Sequence, residues 1–356
     1  MSDTSAALAS WLRTQLPDAD NVRVDGLASI DVGHSAEMLM LTVITSSAGA
    51  ETAQDVVVRL RPPAPGLLEP YDLRRQFEVM RALEGTSVRA PQALWIEETG
   101  AVLGRPFFVM ERTAGDVYEW KLPAHLQDHV VQLSERVMDQ IAEIHSVDVG
   151  AIGLAASNPR EHVDRELDRW EGEITRVQRG PLPALERLIT ELRAQRPAPR
   201  SPVTLVHGDA KPGNFAFVDG TVSAVFDWEM ADVGDPLTDL GWAEIAWGIT
   251  PAFSALPEAH FDDLLARWEQ RTGIAVHDRG WYRAFGAYKM AAILLIGSML
   301  VDAGHSDDWR YVEMGMGIRG ITRMGLASLG VTEKLDPGPV MPRDERVEAL
   351  RPISRD

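Results

Sequence analysis

Hydrophobic and polar positions divide the chain into a strand-rich first part and a helical remainder. In the first part, runs of β-branched and apolar residues predict strands at 37–45, 55–60, 92–97 and 106–111. Small residues at 46–50 predict a turn between the first two strands. Apolar residues at steps of three and four predict a helix over 71–83, and an amphipathic helix is predicted over 1–16. We therefore expect a sheet that carries one helix in its middle.

From residue 128 onward the apolar spacing is helical. The predicted helices cover 128–145, 163–177, 185–193, 260–273 and 281–301. A strand-and-turn segment at 204–228 interrupts them. The most apolar stretch, 290–301, is too short to span a bilayer and is flanked by Lys289 and Asp302. It is therefore predicted to be a buried core helix.

These elements predict an α+β fold with two lobes. A chain of 356 residues is too long for one compact core. We expect a β-rich N-terminal lobe over 1–111 and a mainly helical C-terminal lobe over 112–333. Residues 334–356 are rich in proline and charge and predict a loosely attached tail.

Charge and composition exclude several classes of partner. The chain has 35 basic and 53 acidic residues and a formal net charge of -18. A nucleic-acid partner is not expected, since phosphate backbones require a basic face, and an anionic membrane surface is disfavoured for the same reason. The sequence has no cysteine, which excludes a thiolate nucleophile and a cysteine-based metal site. The first residues lack a signal-peptide pattern, so a cytoplasmic location is expected.

One hairpin predicts a cation site. Asp219 and Gly220 form a strong signal for a two-residue turn between the short β-type runs 215–218 and 221–226. With that turn, residue 214 faces residue 225, and residue 227 lies two positions further along the same side. Asn214 and Asp227 are therefore predicted to present oxygen atoms to one Mg²⁺, a cation that prefers such ligands.

Two charged residues lead into this hairpin. Asp209 precedes Asn214 by five residues, which brings a carboxylate near the predicted metal. There it can orient an attacking hydroxyl group and accept its proton. Lys211 can neutralise charge on a transferring phosphoryl group. The segment is therefore interpreted as a phosphotransfer site.

The same residues resemble a known family. The segment His207-Gly-Asp-Ala-Lys-Pro-Gly-Asn214, followed by Asp227-Trp-Glu229, is similar to the catalytic loop and metal motif of the aminoglycoside phosphotransferases, which are relatives of choline kinases. Further landmarks occur in the family's order at 57–63, 104–111, 144–148 and 234–239. The resemblance covers about residues 20 to 325. It is strongest to the branch whose members stand alone or are fused to acyl-CoA dehydrogenases.

The resemblance implies a protein-kinase-like fold and a role for each matching residue. ATP and Mg²⁺ would be used to phosphorylate a hydroxyl group of a small molecule. Asp209 would be the catalytic base, helped by Lys211, and Asn214 and Asp227 would hold the magnesium. The implied nucleotide-binding residues are Arg59 at the phosphates, Ser35 in the covering loop, and Met110, Glu111 and Thr113 in the hinge at the adenine.

The acceptor and several supporting roles are left as alternatives. The resemblance allows an aminoglycoside-like acceptor or a hydroxy acid or its acyl-CoA thioester, bound by residues 228–247 and 282–290. Gln76 stands where the family has a glutamate that pairs with the phosphate-binding residue, which supports a nucleotide-binding pseudokinase as the rival. His207 is interpreted as a brace of the loop and Asp239 as its anchor. Trp242 is interpreted as core or pocket wall. Nothing in the sequence indicates an oligomeric state.

Overall fold

The computed structural model describes residues 2–30, 37–154, 159–178 and 180–336. Within this part, the chain forms two compact units. The first contains the chain up to Gly115 together with Ser223–Glu229, and the second contains Asp116–Val222 and the chain from Met230 onward. The predicted tail lies outside the described residues from position 337.

The first unit is built on a five-stranded antiparallel sheet with the order β1-β2-β3-β5-β4. Its elements are α1 (Ser2–Gln15), β1 (Asn21–Ile30), β2 (Glu37–Ser47), β3 (Ala50–Leu60), α2 (Leu73–Ala82), β4 (Ala93–Glu97) and β5 (Phe107–Glu111). Apolar residues of α1 and the sheet share one core, which includes Leu8, Leu12, Val56, Val58 and Phe107. The strands and the helix predicted between residues 37 and 111 are thus confirmed.

Strand β1 was not predicted. Its register against β2 shifts between Asp25 and Ala28, and Gly26 between them has a φ of 65°. Such a bulge interrupts the alternation of apolar and polar residues from which a strand is recognised. The strand is therefore defined by its pairing with β2, and the hydrophobic pattern of β1 alone does not predict it.

The second unit is mainly helical. Its elements are β6 (Asp116–Val117), α3 (Val130–His145), α4 (Pro159–Val177), α5 (Pro183–Ala194), β7 (Thr204–Val206), β8 (Phe215–Val218), β9 (Thr221–Val225), β10 (Asp232–Gly234), α6 (Leu237–Ile249), α7 (Glu258–Thr272), α8 (Arg279–Asp302) and α9 (Trp309–Ser328). The chain passes from one unit to the other after Gly115, after Val222 within β9, and after Glu229. Strand β7 pairs with β10, and β6 pairs with β8. Short 3₁₀ turns lie at Ala124–His129, Pro212–Asn214 and Trp228–Met230.

The turn of the predicted hairpin has the expected backbone. Asp219 and Gly220 have φ angles of 49° and 71°, and both are positive as a type I′ turn requires. Strands β8 and β9 flank this turn at the predicted positions. The prediction of a tight two-residue turn is therefore confirmed.

Two helices lack an amphipathic pattern, although Asp235 and Pro236 predict the start of α6. Helix α6 is buried from Leu237 to Trp247 on almost every side, so it has no polar face and no amphipathic period. Helix α9 carries several glycines, which disfavour helix in isolation. At Gly325 a Cβ atom would lie 2.9 Å from Leu188 and 3.1 Å from the Ala287 Cβ, so glycine permits the close packing there.

Helix α8 contains the most apolar stretch of the chain. It has 24 residues, so by length and composition alone the whole helix could cross a membrane, whereas the apolar stretch 290–301 is only its second half. Of the apolar window, 89% is buried inside the protein, as in a core helix. The predicted burial is confirmed, and the helix begins ahead of the apolar stretch, at Arg279.

Candidate active site

The loop after β7 is anchored by a carboxylate of α6. Asp239 accepts hydrogen bonds from the backbone N–H of His207 at 2.7 Å and of Gly208 at 2.8 Å. The side chain of Asp239 is 1% exposed. The prediction that Asp239 anchors this loop is confirmed.

Asp239 is itself held by a buried histidine. Trp268 donates to Nδ1 of His145 at 2.9 Å, so Nε2 carries the proton that His145 donates to Asp239 at 3.1 Å. Burial alone would raise the pKa of Asp239, but His145, His207 and the backbone N–H of His207 outweigh it and lower the pKa to about 2. The anchor is therefore a carboxylate across the ordinary pH range.

Gly208 has no room for a side chain. Its φ is +82°, and a Cβ atom would lie 2.1 Å from the backbone oxygen of Met230. Both the positive φ and this close approach require glycine. The peptide that precedes Asp209 is consequently fixed in position.

The Asp209 carboxylate is held at both oxygens. Trp242 donates its indole N–H to Oδ1 at 2.9 Å, and Asn214 donates Nδ2 to Oδ2 at 2.9 Å. The Lys211 ammonium lies 3.4 Å from Oδ2. Asp209 is 7% exposed, so it is a nearly buried carboxylate of fixed orientation. These contacts bring three predicted site residues together: Asp209, Lys211 and Asn214.

Asn214 and His207 complete the loop. Nδ2 of Asn214 also donates to the backbone oxygen of Asp209 at 2.8 Å. Because the amide nitrogen faces Asp209, Oδ1 is the atom of Asn214 that suits a cation. His207 is fully buried, and its Nδ1 accepts the backbone N–H of Asp209 at 3.2 Å. His207 is thus a brace of the loop, as predicted.

A second cluster lies in the first unit. Arg59 of β3 is 6% exposed. Its Nη2 donates to Asp227 Oδ1 at 2.8 Å and to Glu229 Oε2 at 2.7 Å, and its Nε donates to the Tyr71 hydroxyl at 3.0 Å. Asp227 has a φ of 68°, a left-handed conformation that aspartate tolerates better than most residues. Arg59 and Asp227 are therefore neighbours. The carboxylates that hold the guanidinium are those of Asp227 and Glu229, and neither belongs to α2.

Gln76 takes part in this cluster through another residue. It is buried on α2 and hydrogen-bonds Tyr71, which in turn accepts from Arg59. The glutamate that the family resemblance implied at this position is replaced by an amide and a phenol.

The predicted hinge residues lie at the C-terminal end of β5 and just after it. Met110 is buried in β5, and the Glu111 N–H donates to Gln92 at 2.8 Å. The Thr113 hydroxyl oxygen is buried and has no hydrogen-bond partner among the described residues. An unsatisfied buried hydroxyl is costly, and a bound ligand is one way to satisfy it. Ser35 lies outside the described residues.

The donors predicted for magnesium have suitable chemistry. Asp227 and Asn214 offer carboxylate and amide oxygens, the hard ligands that Mg²⁺ takes together with phosphate. Asn214 belongs to the second unit and Asp227 to the first, so their sharing of one cation stays a prediction. Among the described residues, no group of three or more His, Cys, Asp or Glu side chains forms an all-protein metal site.

Comparison with known proteins assigns the family. The sequence model of the phosphotransferase enzyme family, APH, matches residues 44–284. The chain belongs to this family. The match includes β3, the loop from His207 to Asn214 and Asp227, and it confirms the prediction of a phosphotransferase at the level of the family.

The similar proteins confirm the resemblance and the fold. Acyl-CoA dehydrogenase family member 10 from Mus musculus is 28% identical over 257 residues, which are 68% of this chain and 24% of that relative. The chain spans between 24% and 36% of the first four curated relatives. The solved structure of a candidate aminoglycoside phosphotransferase from Ralstonia eutropha JMP134 has a TM-score of 0.72 at 25% identity and covers 92% of this chain and 99% of its own.

A further solved structure shows the fold alone. A thermostable mutant of aminoglycoside phosphotransferase APH(4)-Ia, in ternary complex with ADP and hygromycin B, has a TM-score of 0.60 at 16% identity. The match covers 92% of this chain and 100% of that one. The predicted kinase-like α+β fold is confirmed by these neighbours.

Two residues contact the loop that carries Asp209, a role that the sequence did not give them. Trp242 was interpreted as core or pocket wall, and it donates a hydrogen bond to Asp209. Lys289 was named only as the flank of an apolar stretch and fell within the range 282–290 expected to line the acceptor, and its Nζ donates to the Gly208 carbonyl at 2.6 Å. The signal that was available for Lys289 is a cation within a uniformly apolar helix, which is rare unless the cation is paired.

Proposed function

We propose that this phosphotransferase transfers the γ-phosphoryl group of ATP, with Mg²⁺, to a hydroxyl group of a small molecule. The observation that best supports this proposal is the environment of Asp209. Its carboxylate is nearly buried, both of its oxygens accept hydrogen bonds, and a lysine ammonium lies 3.4 Å away. A carboxylate held in this way can orient a hydroxyl group without reorganising during the reaction.

In the proposed reaction, the acceptor oxygen forms a bond to the γ-phosphorus as the bond to the bridging oxygen of ADP breaks. Asp209 accepts the hydroxyl proton, and ADP leaves with the electron pair. The Lys211 ammonium is close enough to the base to counter negative charge on the transferring group. Positioning and charge neutralisation supply most of the rate acceleration in this type of transfer.

The nucleotide and metal roles follow from the donor sets. Asn214 Oδ1 and the Asp227 carboxylate would hold Mg²⁺, which supplies charge neutralisation to the phosphates. Arg59 would grip phosphate oxygens, for which a guanidinium with several donors is suited. Met110, Glu111 and Thr113 would meet the adenine, and the buried Thr113 hydroxyl without a partner among the described residues supports a ligand there.

For the acceptor, we propose a hydroxylated metabolite or a cationic antibiotic. The similarity to a candidate aminoglycoside phosphotransferase favours an aminoglycoside-like acceptor, and the similarity to acyl-CoA dehydrogenase family members favours a hydroxy acid or its acyl-CoA thioester. The net charge of -18 attracts cations over long range. Aminoglycosides are polycations and hydroxyacyl-CoA thioesters are anions, so the ionic-strength dependence of turnover separates the two classes.

The test is ADP release from Mg·ATP across a panel of acceptors, with the Asp209→Asn variant as the blank. The panel contains aminoglycosides, amino alcohols, sugars, hydroxy acids and hydroxyacyl-CoA thioesters. We expect one class to give release that falls at least about 100-fold in the variant. If ATP binds and no acceptor gives a signal, a nucleotide-binding pseudokinase becomes the better reading.

A further inference from the structure

A lysine is buried in the middle of α8. Lys289 is 5% exposed, and its neighbours from Gly286 to Ala292 are buried too. An ammonium group is expensive to remove from water unless it is paired or hydrogen-bonded. Burial lowers the pKa of Lys289 below its ordinary value, although the Glu166 and Asp239 carboxylates oppose that shift. Because burying this ammonium group costs free energy, its presence in the middle of α8 requires a structural or functional reason.

The ammonium is directed at the catalytic loop. Its Nζ donates to the Gly208 carbonyl oxygen at 2.6 Å, while the Glu166 Oε2 atom lies 3.9 Å away. Nζ also lies 5.1 Å from the centre of the Trp242 ring and 5.8 Å from that of Trp170. Aromatic faces attract cations at such distances. The loop carbonyl is the closest of these partners.

Gly208 is the residue directly before Asp209, and both polar groups of its backbone are bound to buried charges. Its N–H donates to Asp239 at 2.8 Å, and its carbonyl accepts from Lys289. An anion and a cation from two different helices therefore hold this residue. A Cβ atom on Gly208 would lie 2.1 Å from the Met230 backbone oxygen, so the Met230 backbone packs directly against this residue.

Lys289 also contacts the second support of the base. Trp242, whose ring faces the ammonium, donates its indole N–H to Asp209 Oδ1 at 2.9 Å. The lysine thus contacts the peptide that leads into Asp209 and the indole that orients its carboxylate. A displacement of about 1 Å at a catalytic group can lower a rate by about 100-fold.

We propose that Lys289 is a positioning residue for Asp209: its ammonium fixes the Gly208 carbonyl and the Trp242 indole, and so keeps the carboxylate aimed at the acceptor hydroxyl. This inference rests on the proposed function. It predicts a defect in turnover rather than in nucleotide binding, because no ATP-binding role is assigned to Lys289.

The first experiment compares Lys289→Met with Trp281→Phe. Trp281 lies on the same helix, is buried, and donates one hydrogen bond to the Leu192 carbonyl oxygen at 2.9 Å, away from the loop. We expect Lys289→Met to lower kcat by about 10- to 100-fold with KM for ATP within about twofold. Trp281→Phe should lower the melting temperature and leave kcat within about threefold.

A second experiment uses the absence of cysteine from the chain. The Lys289→Cys variant is alkylated in denaturant and refolded, with refolded wild type as the reference. Treatment with 2-bromoethylamine gives a side chain with the length and charge of lysine, whereas 1-bromopropane gives a neutral one of the same size. The ammonium form should recover most of the refolded wild-type kcat, and the propyl form should resemble Lys289→Met.

The outcomes separate this inference from the proposed function. Equal kcat in the ammonium and propyl forms, or a kcat loss in Lys289→Met no larger than in Trp281→Phe, overturns the role of Lys289. A wild type that binds ATP and transfers to no acceptor overturns the proposed function instead. If Lys289→Met does not fold, the alkylated pair decides.

Discussion

At the residue scale, buried side chains fix the backbone of the loop that carries Asp209. The Asp239 carboxylate accepts two backbone N–H groups of the loop and one histidine N–H. Such bonds to a buried carboxylate stabilise its charged form and the loop conformation together. The ionised state of Asp239 is therefore coupled to folding.

Because of this coupling, the stability lost on replacing Asp239 should depend on pH. The pKa of Asp239 is lowered from its ordinary value of 3.8 to about 2 in the folded protein. Its stabilisation is thus complete above about pH 4 and is lost as the pH falls through 2. We expect Asp239→Asn to lower the free energy of unfolding by roughly 2 kcal/mol at pH 7, and by progressively less between pH 4 and pH 2.

Urea unfolding at several pH values measures this difference. Asp263→Asn, at an exposed aspartate of α7, is the control and should change stability by less than about 0.5 kcal/mol. A difference for Asp239→Asn that stays constant from pH 7 to pH 2 would contradict the lowered pKa.

At the element scale, α6 and α8 together support the loop. Helix α6 supplies Asp239 and Trp242, and α8 supplies Lys289. The two helices cross at glycines: a Cβ atom on Gly241 would lie 2.1 Å from the Tyr282 oxygen. The backbones of the two helices are in direct contact there, so no space is left for a side chain between them.

A methyl group at this crossing should separate the helices. We expect Gly241→Ala to reduce the free energy of unfolding by about 3 kcal/mol and to lower turnover, because the supports of Asp209 move with the helices. Gly248→Ala lies on the same helix, where a Cβ atom meets nothing within 4 Å. It should be neutral or stabilise by up to about 1 kcal/mol. Equal stability of the two variants in urea would show that the crossing is not tight.

At the scale of the whole molecule, the predicted nucleotide-binding groups occur in both units. Arg59, Thr113 and Asp227 belong to the first, and Lys211 and Asn214 to the second. A ligand that binds only the folded state stabilises it in proportion to the logarithm of its concentration. Nucleotide should therefore raise the stability of the protein as a whole.

Thermal unfolding with and without nucleotide tests this expectation. Mg·ATP at about 100 times its Kd should add roughly 2.7 kcal/mol, and the same ATP with a chelator should add less. Asp227→Asn should lose the magnesium-dependent part, while Asp25→Asn, at an exposed aspartate of β1, should keep it. An identical shift with magnesium and with chelator would refute the metal role of Asp227.

Local pattern was enough for the parts of the site that lie close together in sequence. The turn at Asp219 and Gly220 and the site residues of the loop from His207 to Asn214 were predicted from residue type and spacing, and the brace and anchor roles were interpretations made beside the family resemblance. Strands β2, β3 and β5 were predicted as well, because apolar and β-branched runs mark a half-buried sheet. Sequence by itself thus determined the family, the fold class and the candidate base.

Only the tertiary structure decided which distant side chains complete the site. Trp242 and Lys289 reach the loop across 33 and 81 residues of sequence, and Arg59 reaches Asp227 across 168. Helix α6 has no polar face, and β1 is interrupted by a bulge, so neither shows a period that could be recognised. Periodicity records the burial of an element's own faces. It does not record which partner an element meets, because helix crossing and strand pairing set that choice.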